Sequence, residues 1–446
     1  MADNVPTATG DDVLFNHATV KKDTNDFGPR IGLSYQPDSK TTIRTGFGVY
    51  YSQDTGNPVF DMGRNFGFRQ SARGLETRPT VNLDAPWATA GSGNTQCSNW
   101  DGPCVNGLYT FGNDARRRTP YIMQYLLNVQ RQVTDTMMVE VGYSGNQGRK
   151  LQRMYGFNTP TERADPTDQS SVNDRRPWGG DIYGRIQTIA NVSQSSYNAL
   201  AVKLRQRHSN GLTYLLGYTW SRAIDQGSGI RTNGGDNLFP ASSYNLHAER
   251  GLSQFHTGQR FTGSILYDLP LKFENRVAEA LAGGWQLGTI LTFSTGTPFN
   301  GGNCGQPNSN GQGNRGDATG ISPFPDNPTA NEFFVRDKTD GRGPAAISCY
   351  VPVTINGAEY NALSARQGNI ARNMYISPGY ANMDFSMMKN FRMTERFNLQ
   401  FRFESFNFTN HPNWNNPNTG TTSLNYGVIT SARSMRTNQF ALKFMF

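Results

Sequence analysis

The chain has 446 residues, 17% of them charged, 36% hydrophobic and 12% aromatic, with 48 Gly and 23 Pro. Low charge excludes a coiled coil, the aromatic content excludes a wholly disordered chain, and no run of 18 apolar residues exists to form a transmembrane helix. The formal net charge is +8. Its basic residues are spread along the chain, with Arg116-Arg117-Arg118 the one dense run. That spread points to an anionic surface, such as lipid head groups, and away from nucleic acid.

In chain order, Met1–Gly10 shows neither a basic n-region nor an apolar h-region, so no signal peptide is expected there. Residues 1–28 read as a polar remnant of an outer loop, and 29–446 as the β region. Period-two alternation predicts eleven strands: 29–36, 41–52, 119–133, 137–147, 195–207, 212–222, 255–269, 283–295, 379–390, 396–408 and 436–446. The last is the clearest. Phe440, Leu442, Phe444 and Phe446 share one side, while Gln439, Ala441 and Lys443 share the other. In the tenth, Leu399, Phe401 and Phe403 oppose Gln400, Arg402 and Glu404. Leu204, Leu216 and Leu291 belong to the same apolar set in earlier strands. Ten of the runs reach the ~9–11 tilted residues that span a bilayer, where soluble strands average ~5–6.

The connections alternate between shorter and longer. Residues 37–40, 134–136, 208–211, 270–282 and 391–395 are the shorter set; 53–118, 148–194, 223–254, 296–378 and 409–435 are the longer. All short turns therefore fall at one end of the strands, as in outer-membrane barrels with short periplasmic turns and long extracellular loops. The modest turn at 270–282 contains Asn275–Ala282, a candidate short helix before Gly283-Gly284. Tyr50, Tyr51, Tyr143, Tyr218, Trp220, Tyr267, Trp285, Phe406 and Phe408 lie near strand ends, where interfacial aromatic girdles belong. Eleven antiparallel strands leave the first and last parallel, so they form an incomplete barrel. The expected fold is therefore all-β, an antiparallel transmembrane β-barrel meander.

On such a wall Arg44, Gln124, Asn128, Glu140, Lys203, Arg205, Asp268, Asp384, Arg402, Glu404 and Lys443 face the lumen, either as solvated or plug-contacting groups or as guides for a polar or anionic substrate. Cys97, Cys104, Cys304 and Cys349 fall in long Gly/Asn/Ser-rich loops, with no C-x-x-C and no nearby His to suggest zinc. Local pairing as 97–104 and 304–349 closes two loops in an oxidising compartment, with four reduced thiols as the alternative. Gly311–Gly316 matches G-x-G-x-x-G without the flanking strand and helix that a dinucleotide site needs. The tripeptide Arg315-Gly-Asp317 is read as coincidence. The five His are isolated and no G-x-S-x-G occurs. No catalysis, cofactor or metal is expected.

The terminal Phe446, at the end of Arg436–Phe446, resembles the C-terminal signature of outer-membrane barrels. Phe401-Arg-Phe-Glu-Ser-Phe-Asn-Phe-Thr-Asn-His-Pro-Asn413 looks like the penultimate strand of TonB-dependent transporters. Phe27–Tyr35 with Thr42–Tyr51, Ser196–Leu200, Tyr218–Ala223 and Gly284–Gly288 are similar to segments of the Oar-like branch of that family. The resemblance covers about residues 27–446. It implies the C-terminal half of a 22-stranded barrel in the outer membrane of a Gram-negative-type cell. It also implies outer-membrane lipid and lipopolysaccharide as surroundings, the barrel assembly machinery reading Phe440, Leu442, Phe444 and Phe446, and a TonB-type energy complex acting on the full-length protein. The implied function is energised passage of a bulky solute. A passive porin or structural barrel, and a soluble extracellular carbohydrate- or protein-binding sandwich, are the alternatives.

Overall fold

Alternating apolar and polar side chains, rich in aromatic and β-branched residues, favour extended strands that pair laterally. The computed structural model describes residues 23–52, 108–114, 117–178, 183–229, 239–302, 304, 315–337, 343–392 and 398–445. It joins eleven long strands, in sequence order, into one antiparallel sheet. They are β1 (Arg30–Asp38), β2 (Thr41–Tyr51), β3 (Tyr121–Gln132), β4 (Met137–Phe157), β5 (Tyr183–Ser209), β6 (Leu212–Asp225), β7 (Gln259–Asp268), β8 (Trp285–Ser294), β9 (Tyr380–Arg392), β10 (Asn398–Phe406) and β11 (Thr437–Met445). Short and long connections alternate along the whole meander, so the short turns all lie at one end. β1 and β11 are the two edges, each paired on one side among the described residues.

The short turns have local causes. Asp38 accepts hydrogen bonds from Lys40 N at 2.7 Å and from Thr41 Oγ1 at 3.0 Å, closing an Asx-type turn between β1 and β2. Asn210 and Gly211 both take positive φ, 51° and 80°, the requirement of a two-residue type I′ hairpin. A Cβ on Gly211 would collide with Asp268 O of β7. In the longest of the short turns, helix α1 (Arg276–Ala282) starts at Asn275, whose side chain accepts from Val277 N and Ala278 N.

Two features depart from the sequence reading. β4 and β5 run to Phe157 and from Tyr183, so 148–157 and 183–194 are strand and not loop. This polar hairpin projects past the part of the wall where one face must be apolar, so it carries no alternation to read. Its register shifts near Leu151, next to Lys150 at φ 52°. Within the region expected to be loop, Leu108–Asn113 pairs parallel with β5.

The second departure lies at the long-loop end. Residues of the β8–β9 and β10–β11 connections fold together into an outer cap with its own core: Phe299, Phe333, Phe334, Ile347, Ile370, Tyr375, Tyr426 and Ile429. Pairs of strands two to four residues long frame it, too short to show periodicity. Phe334, 1% exposed, is the hub. Its ring lies 5.1 Å from Tyr375, 5.2 Å from Phe333 and 5.9 Å from Tyr426. Tyr426 donates to Gly301 O at 2.8 Å, so its hydroxyl is satisfied inside the core. Cys304 and Cys349 form a disulfide with Cα atoms 5.2 Å apart, and Cys304 packs on the core. Cys97 and Cys104 lie outside the described residues.

Phe334→Ala is expected to cost the cap ~3–5 kcal/mol. Limited proteolysis should then cut within 315–337 and 343–376 faster, while the heat-modifiable gel mobility of the wall is unchanged. Loss of that mobility in the same variant would contradict a separately packed cap.

Candidate functional site

Residues directly opposite across a ladder share a face of the sheet. The register sets Arg44 opposite Asn128 and Glu140 opposite Lys203. From Lys203 the row continues through Gly217, Thr262 and Thr292 to Asn382. Two residues along β9 stands Asp384, and beyond it Ser386 faces Glu404, which faces Gln439. Arg44, Gln124, Asn128, Glu140, Lys203, Arg205, Asp268, Asp384, Arg402, Glu404 and Lys443 consequently occupy one face of the wall.

Several of them pair. Lys203 Nζ lies 3.0 Å from Glu140 Oε1, which also accepts from Asn128 Nδ2 at 2.9 Å. Gln286 Nε2 donates to Asp268 Oδ1 at 2.6 Å. Asp384 Oδ1 accepts from Asn382 Nδ2 and Asn407 N, both at 2.9 Å. Glu404 accepts from Gln439 Nε2 and lies 3.5 Å from Arg402 Nη1. Arg44 Nη1 reaches Gln130 Oε1 at 3.4 Å. The same face carries Leu215, Leu266 and Ile290 between Arg205 and Asp384. Tyr50 and Phe406, expected in the aromatic girdles, stand on this polar face instead. Near a strand end, alternation alone fixes which side a ring takes.

The opposite face is apolar from strand to strand. Val129, Val141, Val202, Tyr218, Phe261 and Phe293 form one continuous cross-strand row. Leu204 faces Leu216, and Leu291 faces Met383. Phe440 faces Phe403, Leu442 faces Phe401, and Phe444 faces Leu399. Phe440 and Leu442 are 72% and 71% exposed; Phe446 lies outside the described residues. Tyr143, expected near a strand end, lies within the extended β4; its ring stacks 6.3 Å from that of Tyr125, and both hydroxyls donate to Asn198 Oδ1. The one buried cation on this face is at the short-turn end among the described residues. Lys389 donates to Gly283 O, with its ammonium 5.3 Å from the Trp285 ring and 5.2 Å from that of Phe391. The polar tip thus leaves the apolar face while the stem stays on it.

Beneath the cap lies a buried ionic network that the sequence did not disclose. Glu249, in the one-turn segment Leu246–Glu249, is clasped by Arg153 Nη2 at 3.2 Å on Oε2 and by Arg315 Nη2 at 3.0 Å on Oε1. Ala241 N donates to the same Oε1 at 3.0 Å. Arg372 donates from Nε to Glu249 O at 2.9 Å and from Nη2 to the Asp225 carboxylate. These residues come from the β4 projection, the end of β6 and two separate long connections. Burial alone would push the Glu249 carboxyl up. The charges of Arg315 and Arg153 and the hydrogen bonds to it outweigh that and hold it below the ordinary carboxylate value. Among the described residues no group of three His, Cys, Asp or Glu is placed to hold a metal ion.

A lowered folded-state pKa contributes stability that is complete above the unfolded carboxylate value and is lost as pH falls through the folded one. The cap is therefore expected to loosen on acidification from about pH 7 to about pH 3. Hydrogen exchange at 246–253 and 370–376 should show it. Glu249→Gln strands Arg153 and Arg315 without a carboxylate, so it should cost ~3–5 kcal/mol at neutral pH and flatten the acid response. Unchanged exchange across that range would contradict the role given to Glu249.

No curated protein matches the sequence. Solved structures similar to it include the outer membrane transporter YddB from Escherichia coli, 9% identical over 92% of this chain and 39% of that one, with a TM-score of 0.47. The siderophore receptor PiuA from Acinetobacter baumannii is 11% identical over 93% of this chain and 35% of that one, with a TM-score of 0.40. The FrpB iron transporter from Neisseria meningitidis is 10% identical over 93% of this chain and 39% of that one, with a TM-score of 0.39. The chain thus spans less than two-fifths of the length of each. The family model described as an outer membrane beta barrel domain matches residues 3–439. A long-stranded antiparallel meander, apolar on one face and polar on the other, is the architecture of that family, and the chain belongs to it as a protein of the outer membrane.

Proposed function

We propose that this chain supplies one half of the wall of a large outer-membrane channel, of the TonB-dependent type, for energised passage of a bulky solute. The observation that carries the wall is the uncovered apolar face, 71–72% exposed at Leu442 and Phe440. A soluble sandwich buries that face under a second sheet; a lipid-facing wall presents it to hydrocarbon. The polar face is then the lumen, with Arg44, Glu140, Lys203, Arg205, Asp268, Asp384, Arg402, Glu404 and Lys443 along it. β1 and β11 run in the same direction, because ten successive antiparallel pairings separate them, so they do not close an antiparallel barrel on each other. Further strands at both edges, to the 22 of plugged transporters, satisfy their free backbone groups.

On this reading β11 is the strand recognised by the assembly machinery, lipid and lipopolysaccharide surround the apolar face, and a TonB-type complex energises the full-length protein. The motif resemblance of Phe401–Asn413 and of the C-terminal strand supports it, as does the massive cap over the long-loop end. No catalytic role is assigned to any residue.

Leu442→Arg or Phe401→Arg is expected to cost ~2–4 kcal/mol if it lies near the bilayer midplane, while Lys443→Gln on the other face costs little. Heat-modifiable gel shift of the full-length protein in detergent reads both. Equal tolerance on the two faces would sink the wall assignment. Planar-bilayer recording separates the functions: an energised transporter holds closed, whereas steady open conductance of the full-length protein would make it a passive channel.

A further inference from the structure

Towards the long-loop end the apolar face changes character over three rows. Tyr143, Leu200 and Trp220 face one another across β4, β5 and β6, all three exposed. In the next row Asn198 stands opposite Arg222, and in the one beyond it Gln147, Ser196 and Ile224 line up. That last row borders a cavity of about 330 Å3, walled as well by Arg149, Gln194, Gln226, His247 and Arg250. An aromatic row followed by cations is the order in which the hydrocarbon edge of a membrane gives way to its charged surface.

The cations around this cavity are held in place. Arg149 donates from Nη2 to Gln147 Oε1 at 3.1 Å and from Nη1 to Ser195 O at 3.3 Å. Gln147 donates in turn to the Tyr125 hydroxyl at 3.4 Å, which lies on the apolar face beside Tyr143. The Arg149 guanidinium is thereby fixed on that side of the sheet. Gln226 Oε1 accepts from Gln194 N at 3.0 Å, and its Nε2 donates to Leu246 O at 3.3 Å, so the segment that carries His247 and Arg250 is tied to the wall. Glu249 turns inward to Arg153 and Arg315, and a Cβ on Gly251 would strike Arg372 O. Arg250, between them, has extended backbone and is exposed on the other side. Arg149, Arg222 and Arg250 form no ion pair among the described residues. Asp225, the carboxylate at the cavity, is buried and bound to Arg372.

We propose that this cavity seats the headgroup of a lipid that ends in a phosphomonoester, in the leaflet at the long-loop end. Such a group carries about −1.5 to −2 charges at pH 7, which matches the two arginines at the cavity, Arg149 and Arg250, and its oxygens accept from their N–H groups. The acyl chains run over Ile224, Trp220 and Leu200, side chains that a free phosphate leaves uncovered. A zwitterionic headgroup brings a cation of its own to the same place and gains little. The proposal rests on reading the apolar face as the lipid-facing one, and it holds equally for an energised or a passive channel.

Native mass spectrometry of the full-length protein in a neutral detergent, titrated with phosphatidic acid, with phosphatidylcholine of the same chains or with inorganic phosphate, tests it without any transport step. Phosphatidic acid should bind saturably and about tenfold tighter than phosphatidylcholine, the worth of one hydrogen bond to a charged group. Inorganic phosphate at ~1 mM should not displace it. Arg250→Gln should lower the affinity for phosphatidic acid about tenfold and keep the heat-modifiable mobility of the wild type, because the Arg250 side chain engages no partner among the described residues. Arg149→Gln should weaken binding likewise; since it also gives up its bonds to Gln147 and Ser195, the Arg250→Gln result decides if Arg149→Gln does not fold. Lys272→Gln, an exposed charge in the turn before α1 at the other end of the wall, should bind as wild type. Equal affinity for the two lipids, or Arg250→Gln binding like wild type, in a protein that keeps its heat-modifiable mobility overturns the site and leaves the wall reading standing. Displacement by inorganic phosphate overturns the lipid as occupant. A protein that stays monomeric in buffer without detergent overturns the wall reading, and the lipid seat with it.

Discussion

Backbone pairing in hydrocarbon is the constraint on which the rest of this structure depends. An unpaired N–H or C=O inside a bilayer costs several kcal/mol, so a chain without apolar helices crosses only as laterally paired strands. Here the eleven strands satisfy one another in sequence order. Once paired, they fix every side chain to one face, and a one-residue slip would send Lys203 and Glu404 to the apolar face and Leu204 and Phe403 to the polar one. The tight turns at Asp38–Thr41 and Asn210–Gly211 hold the register at its source.

Outside the membrane the rules change, and so does the source of stability. Water is available to loops, so nothing forces pairing, yet the long connections do not stay separate. An aromatic core around Phe334 and an ionic network around Glu249 draw four stretches of chain into one cap. The two devices differ in kind. The aromatic core gains from burial and carries no carboxylate to protonate on acidification. The network spends desolvation against Coulomb attraction and weakens once Glu249 is protonated.

The wall and the cap meet in the projecting part of β4 and β5. Arg153 stands on that projection and clasps Glu249 of the cap, so the strands that cross the membrane also carry one arm of the network. Lys389 marks the other end of the wall, where an ammonium sits against Trp285 and Phe391 and reaches the carbonyl of Gly283, just past α1.

The sequence by itself determined the wall. Alternation over long runs is dictated by the bilayer on one side and water on the other, so Phe440, Leu442 and Phe444 against Gln439 and Lys443 could be read without coordinates. The alternation of short and long connections gave the two ends for the same reason. Tertiary structure alone decided the cap. Phe299, Phe334, Tyr375 and Tyr426 lie in irregular chain or in two-residue strands too short to show a period, and their meeting depends on how distant loops fold back. Arg153, Asp225, Glu249, Arg315 and Arg372 are up to 219 positions apart; as single charges in polar stretches they are indistinguishable from solvated surface. Arg315 fell inside a glycine-rich motif that failed its own context, and its role appears only when Glu249 is brought beside it. Periodic patterns record a uniform solvent boundary, whereas an ionic network records one particular packing, and only the folded chain contains that.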